Sequence, residues 1–142
     1  MINKIIDGIS TKLDQVFGED YTIYSEKVNQ GLVEPCFFIT FLNAEQTKRL
    51  GHRYFRRHFF NIHYMPSGPD KNLEMNTVSE ILLEELEFID VDGDLVQGTN
   101  INFEPVNGSL HFFVSYNVHA LKVTDNFDQM EDVSIKTGLK EG

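Results

Sequence analysis

The sequence predicts a single α+β domain with a mostly antiparallel sheet of about five to six strands flanked by two helices. Three observations support it: helical spacing of apolar residues at the start of the chain, a second such segment in the middle, and strand-like alternation around an Asn-Gly pair. The 142 residues suit one domain, and 41% hydrophobic residues suffice for a packed core. We expect residues 1–124 to form this domain and residues 125–142 to be an acidic C-terminal arm, flexible or docked on a neighbouring subunit.

The first predicted element is a helix over residues 2–17. Its apolar residues recur at helical spacing, and Gly18 is placed to end it. The apolar positions are Ile2, Ile5, Ile6, Ile9, Leu13, Val16 and Phe17.

Strands follow this helix. Residues 21–28 read as a strand, and residues 36–42 as a central strand whose two faces should both be covered, because the segment is almost continuously apolar. We expect residues 43–50 to be a polar connection. The next predicted strand covers residues 53–65. In a regular strand Phe60 and Ile62 would lie on one face and Phe55 and Phe59 on the other. We therefore expect a β-bulge near residues 58–60, which would bring them to the same face.

The middle of the chain predicts a second helix over about residues 70–88, because Leu73, Val78, Leu82 and Ile89 recur at helical spacing. The acidic run over residues 90–94 does not fit a calcium loop, which needs Gly at its sixth position and Glu at its twelfth. We interpret this run as a turn between the helix and the next strand.

The clearest local signal is Val106-Asn107-Gly108-Ser109, which suits a two-residue type I′ hairpin turn. Such a turn places Phe103 opposite Phe112 and Ile101 opposite Val114. The second strand then puts six apolar residues on the same face as Phe112. These are Leu110, Phe112, Val114, Tyr116, Val118 and Ala120.

No pattern in the sequence predicts an enzyme, a cofactor or a metal. Cys36 is the only thiol, has no activating neighbour, and is expected to be a small buried hydrophobe. His111 and His119 are eight residues apart on one strand, roughly 26 Å, too far to share a metal ion. There is no nucleophile elbow, phosphate loop or zinc-binding helix motif. We also find no signal-peptide pattern and no apolar stretch of membrane-spanning length, so we expect no membrane partner. Because no catalytic or ligand-binding motif is found, we expect no small-molecule substrate.

The distribution of charge is uneven. Five of the twelve basic residues lie within ten residues that contain no acid, although the chain has a net charge of −10. We predict that this segment forms an interface with another subunit or another protein. The predicted interface residues are Lys48, Arg49, Arg53, Arg56, Arg57 and His58. Because aromatic residues are interleaved with the basic ones, single-stranded nucleic acid is the alternative ligand.

The same segment supports a family resemblance. Residues 46–64, with Gly51-His52-Arg53-Tyr54-Phe55-Arg56-Arg57-His58 at their centre, are preceded by Glu34-Pro35-Cys36-Phe37-Phe38-Ile39 and by the helical start Ile2-Asn3-Lys4-Ile5-Ile6. In this order the chain resembles the phage tail terminator family of Gram-positive prophages and phage-like tail particles.

That resemblance implies a tail-terminator-like fold and a ring, expected to be hexameric, at the head-proximal end of a tail tube. The ring would stop tube polymerisation and present a docking face. Its expected partners are other copies of the chain, the tube protein, the sheath, and a head completion protein if a head exists. The resemblance implies assembly in the host cytoplasm, then a place in a virion or phage-like particle. By position, Met130, Val133 and Ile135 form an arm that could add a strand to a neighbour.

Overall fold

The computed structural model of the chain describes residues 1–25, 31–123 and 134–137. These residues form two helices and seven strands. In chain order they are α1 (Ile2–Phe17), β1 (Thr22–Tyr24), β2 (Cys36–Lys48), β3 (Arg53–Met65), α2 (Lys71–Glu85), β4 (Phe88–Val91), β5 (Asp94–Val106), β6 (Ser109–Val123) and β7 (Ser134–Thr137). The sheet order is β1-β2-β3-β6-β5-β4, and β7 pairs with β6. β1 runs parallel to β2 and the other described pairs are antiparallel, which confirms the predicted α+β class.

Both helices pack on one face of the sheet, which we call the inner face. α1 contributes Ile5, Ile9 and Leu13 to the core, and α2 contributes Val78 and Leu82. The predicted bounds of α1 are confirmed, and the helix ends at Gly18, whose φ of 80° few other residues adopt.

α1 touches β1 and β2 at one end of the strand order and β4 at the other, so the sheet curls around this helix. Gly8 permits the approach to β4, because a Cβ at this position would lie 2.6 Å from the carbonyl oxygen of Asp90. An exposed ion pair of 3.1 Å, between Lys4 and Asp92, lies beside the same contact.

The β2–β3 hairpin differs from the prediction in two ways. β2 continues through the polar residues to Lys48, so the expected connection over residues 43–50 is largely strand. The register shift lies in β2 between Phe41 and Asn43, whereas β3 pairs with β6 without interruption from Arg53 to Tyr64. The extra residue is therefore Leu42, and the expected bulge within β3 is wrong.

Because β3 is regular, its two parities lie on different faces of the sheet. Phe60, Ile62 and Tyr64 are buried on the inner face. Phe55 and Phe59 lie with the opposite parity on the other face, which we call the outer face. β2 is covered on both faces only at its beginning, where Phe38 stacks on Tyr24 at a centroid distance of 5.1 Å. Leu42 is exposed, so the expectation of full coverage on both faces is wrong there.

The β5–β6 hairpin confirms the predicted turn and its first pair. Phe103 lies opposite Phe112, and the two rings stack at 6.4 Å. The register shifts between Thr99 and Asn102, so Ile101 shares its place opposite Val114 with a second residue in a bulge. All six apolar β6 residues predicted to share a face are buried.

The second helix is shorter than predicted. It ends at Glu85, and Phe88–Val91 forms the strand β4. Ile89, which fitted the helical spacing, is one of two buried residues that alternate with exposed ones along this strand. The acidic turn is confirmed, with positive φ at Asp92 and Gly93, but it joins β4 to β5 rather than helix to strand. Of the strand expected over residues 21–28, the structure shows Thr22–Tyr24, and residues 26–28 lie outside the described residues.

One edge of β2 is unpaired over much of its length. β1 pairs with β2 only at Cys36, Phe37 and Phe38. Within the described residues no other strand joins β2 on that side, so its backbone from residue 39 to residue 48 forms an open edge of the sheet.

Candidate assembly interface

The predicted basic segment lies at the β2–β3 turn. β2 ends at Lys48 and β3 begins at Arg53, and Gly51 supplies the positive φ of 66° within the reversal. The turn is closed by two backbone hydrogen bonds, from Arg49 N to the Arg53 oxygen at 2.7 Å and from Arg53 N to the Leu50 oxygen at 3.2 Å. We call residues 48–53 the basic tip.

The five predicted cations are in two kinds of environment. Lys48, Arg49 and Arg53 are exposed at the basic tip. Arg56 and Arg57 lie further along β3 and are half-buried, each held by a β2 side chain. Arg56 Nε donates a 2.7 Å hydrogen bond to Gln46, and Arg57 lies 3.6 Å from Glu45. The three cations of the basic tip are thus more exposed than the two that lie along β3.

Phe55 organises the outer face of this hairpin. The guanidinium carbons of Arg49 and Arg57 lie 5.1 and 5.2 Å from the centre of its ring, distances at which a cation is attracted to the aromatic face. The ring of His119, from β6, lies 4.9 Å away on the same face. Phe55 therefore holds two of the cations in place.

His58 occupies a different position from the rest of the predicted set. Its side chain is buried on the inner face, where Nδ1 lies 3.3 Å from the carbonyl oxygen of Tyr116. Burial lowers the pKa of His58, and the nearby positive charge of Arg56 acts in the same direction. The structure places this residue beneath the charged surface rather than on it.

Leu50 was not among the predicted interface residues. It lies at the apex of the basic tip and is 88% exposed. Its sequence signal is weak, a single large apolar residue between Arg49 and Gly51 in an otherwise polar stretch. Arginine is enriched in protein interfaces, and an exposed apolar side chain beside it offers surface that a partner can bury.

The residues of the C-terminal arm are only partly described. Ile135 lies in β7, opposite Lys122 in β6 of the same chain. Met130 and Val133 lie outside the described residues.

All five histidines and the single cysteine lie within the described residues. Cys36 is buried, as predicted, and burial raises the pKa of its thiol. Over residues 1–25, 31–123 and 134–137 no group of three or more His, Cys, Asp or Glu side chains is arranged to hold a metal ion. Neither α1 nor α2 is long and apolar enough to span a membrane.

The predicted interface segment thus forms a cationic hairpin tip with an exposed apolar apex on a small α+β domain. The family described as "Phage tail terminator protein" matches residues 4–128. The chain belongs to this family. It is a structural protein of phage tail assembly and, as a tail component, is associated with the virion. No curated protein matches the chain.

Proposed function

We propose that this protein forms a ring, a hexamer, that caps the head-proximal end of a phage or phage-like tail tube and stops its polymerisation. The family match over residues 4–128 is the observation on which this proposal rests. The charge distribution supports self-assembly, because an exposed cationic tip on a chain of net charge −10 finds complementary surface on another copy.

The proposed partners follow from this position. One face of the ring contacts the tube protein, with the sheath beside it if the tail is contractile, and the other face receives a head completion protein where the particle has a head. Assembly takes place in the host cytoplasm, and the ring then remains in the particle.

The C-terminal arm is proposed to strengthen the ring. Met130, Val133 and Ile135 belong to a segment whose strand, β7, pairs with β6 of its own chain. We propose that in the ring β7 of one copy pairs with β6 of a neighbouring copy. The two copies then exchange identical strands, and the β6–β7 pairing itself is unchanged.

Single-stranded nucleic acid is the weaker candidate ligand. Binding of this kind relies on aromatic rings whose faces are free to stack on bases. The Phe55 ring is already contacted by Arg49, Arg57 and His119. This arrangement favours a protein partner, and a DNA-binding titration at two salt concentrations tests the alternative, since phosphate contacts weaken steeply as salt rises.

Tube growth in the presence of the purified protein tests the function. Added at substoichiometric amounts to polymerising tube protein, it is expected to shorten the tubes seen by electron microscopy and to appear as a ring at one end. Tubes that grow to the same length with and without the protein would contradict the proposal.

A charge reversal tests the role of the basic segment. Arg53→Glu combined with Arg56→Glu should prevent ring formation, measured by size-exclusion chromatography with light scattering, while the far-UV circular dichroism remains that of the folded protein. Arg53→Lys with Arg56→Lys is the matched control, because it keeps the charge and should still form rings. Rings in the Glu variant would show that these charges are not part of the contact.

A further inference from the structure

A groove between the two helices is lined by apolar and acidic residues, which complement the apolar and basic residues of the tip. It has a volume of about 350 Å³ and lies between the end of α1 and the first turns of α2. We call it the α1–α2 groove. Its apolar lining includes Phe17, Tyr21, Leu73, Val78 and Ile81, and Asp70 and Glu74 also line it.

The charge of this groove is opposite to that of the tip. Asp70 is exposed, and Glu19 and Asp20 are exposed immediately before Tyr21, which lines the groove. On the tip, Lys48, Arg49 and Arg53 are exposed on both sides of Leu50 in the chain. An apolar apex with cations beside it in the chain therefore matches an apolar groove with acidic residues beside it, which we call the acidic rim.

The tip and the groove lie at opposite ends of β3. The tip ends at Arg53, the first residue of β3. The far end of β3 is tied to the groove by Tyr64, whose hydroxyl donates a hydrogen bond to Glu74. The Tyr21 ring also lies 6.2 Å from that of Tyr64. A strand of 13 residues spans roughly 40 Å. A molecule cannot fill its own groove with its own tip, so the contact has to form between copies.

We propose that Leu50 of one copy inserts into the α1–α2 groove of the next, with the cations of the basic tip facing the acidic rim, and that this repeated head-to-tail contact closes the ring. The proposal rests on the proposed self-assembly and names the two surfaces that carry it out. A head-to-tail contact uses two different surfaces of each copy, so every copy has one tip and one groove to offer.

Complementary variants test this arrangement. Leu50→Asp removes the apolar apex and leaves the groove intact, whereas Leu73→Glu places a charge in the groove and leaves the tip intact. Both side chains are exposed, at 88% and 62%, so both variants should fold, which thermal unfolding would verify. Leu95→Glu is the matched control, since Leu95 is 63% exposed on β5, in neither the tip nor the groove lining.

The proposal predicts a different oligomeric state, measured as a mass by light scattering, for each set of samples. Wild-type protein and Leu95→Glu form rings, and each tip or groove variant alone is monomeric. An equimolar mixture of Leu50→Asp and Leu73→Glu gives heterodimers and nothing larger, because only the tip of the Leu73 variant and the groove of the Leu50 variant can meet.

Three results would overturn the proposal. Rings formed by either variant would show that another contact closes the ring, with the proposed function intact. A wild-type protein that stops at two copies would exclude the head-to-tail arrangement, and one that stays monomeric would exclude both the contact and the ring. If rings form through this contact but tubes still grow unchecked, the contact stands and the capping function fails.

Discussion

The imidazole rings of His63 and His111 stack on the outer face of the sheet, with centroids 4.2 Å apart and planes inclined by 16°. His63 Nε2 lies 2.9 Å from the hydroxyl of Ser109, and His111 Nδ1 lies 3.3 Å from the side-chain amide of Asn61. Two rings at this distance cannot both take up a proton without repulsion. Burial lowers the pKa of His63, and the charge of His111 lowers it further.

Acidification should therefore destabilise the protein. The pKa of His63 is lower in the folded chain than in the unfolded one, so the unfolded state binds the proton first. The stabilisation is complete above an unfolded pKa of about 6.5 and is lost as the pH falls from there towards the folded pKa. His58, whose pKa burial also lowers, acts in the same sense. Urea unfolding between about pH 7.5 and pH 5.5 should show a falling free energy of unfolding.

The variant His63→Gln should flatten this dependence, because glutamine can still bond to Ser109 but does not titrate. His52→Gln, at an exposed position of the basic tip, serves as the control and should keep the wild-type slope. An unchanged slope in the His63 variant would exclude the stacked pair as a source of the effect.

Gly8→Ala should destabilise the protein although it lies in a helix. Alanine is favoured over glycine in a helix by about 1 kcal/mol. Here a Cβ would lie 2.6 Å from a backbone oxygen of Asp90, so α1 must move away from β4. We expect a net loss of about 1–3 kcal/mol in urea unfolding. Gln15→Ala, exposed on the same helix, should be neutral or slightly stabilising, and the same result for Gly8 would mean that the contact with β4 is loose.

Tyr116→Phe should cost about 1–3 kcal/mol of stability. The Tyr116 hydroxyl is buried and donates a 2.6 Å hydrogen bond to the carbonyl oxygen of Leu86, at the end of α2. Removing it leaves that oxygen without this donor in an apolar surrounding. Tyr24→Phe is the control, because the Tyr24 hydroxyl accepts a 3.2 Å bond from Val33 N at the surface. Equal losses in the two variants would contradict this explanation.

Glu74→Gln should loosen the loop that precedes α2. One carboxylate accepts hydrogen bonds from the Tyr64 hydroxyl and from the backbone nitrogens of Ser67 and Gly68. An amide offers one accepting oxygen instead of two, so we expect a loss of about 1 kcal/mol and faster hydrogen exchange at Gly68. Glu80→Gln, exposed on α2, should change neither, and a protected Gly68 amide in the Glu74 variant would show that the loop is held by other contacts.

The parts of the fold that the sequence predicted are those decided by local chemistry. Asn107 and Gly108 adopt the positive φ angles of the hairpin turn, and this turn fixes the register that buries Phe112. The bounds of α1 follow similarly from its apolar spacing and from Gly18.

The structure differs from the sequence-based prediction where the conformation depends on pairing with a neighbouring strand. Residues 43–48 are exposed and mostly polar, and they form a strand because β3 supplies their hydrogen bonds. The mixed parity of β3 indicated a bulge, but the pattern could not tell a bulge from a strand with aromatic residues on both faces. His58 was grouped with its basic neighbours because its inward parity shows only once β3 is known to be regular. The α1–α2 groove joins residues more than fifty positions apart, so no local pattern reveals it.

The open edge of β2 also has a consequence for unassembled subunits. A free strand edge offers hydrogen bonds to any extended chain nearby, and long flat edges lead to aggregation. Leu42 interrupts the pairing of β2 with β3, and a bulge of this kind twists a strand out of plane, while Glu45 and Lys48 add charge along it. The bulge at Leu42 should thus protect newly made copies from edge-to-edge aggregation. Deleting Leu42 should therefore yield insoluble protein.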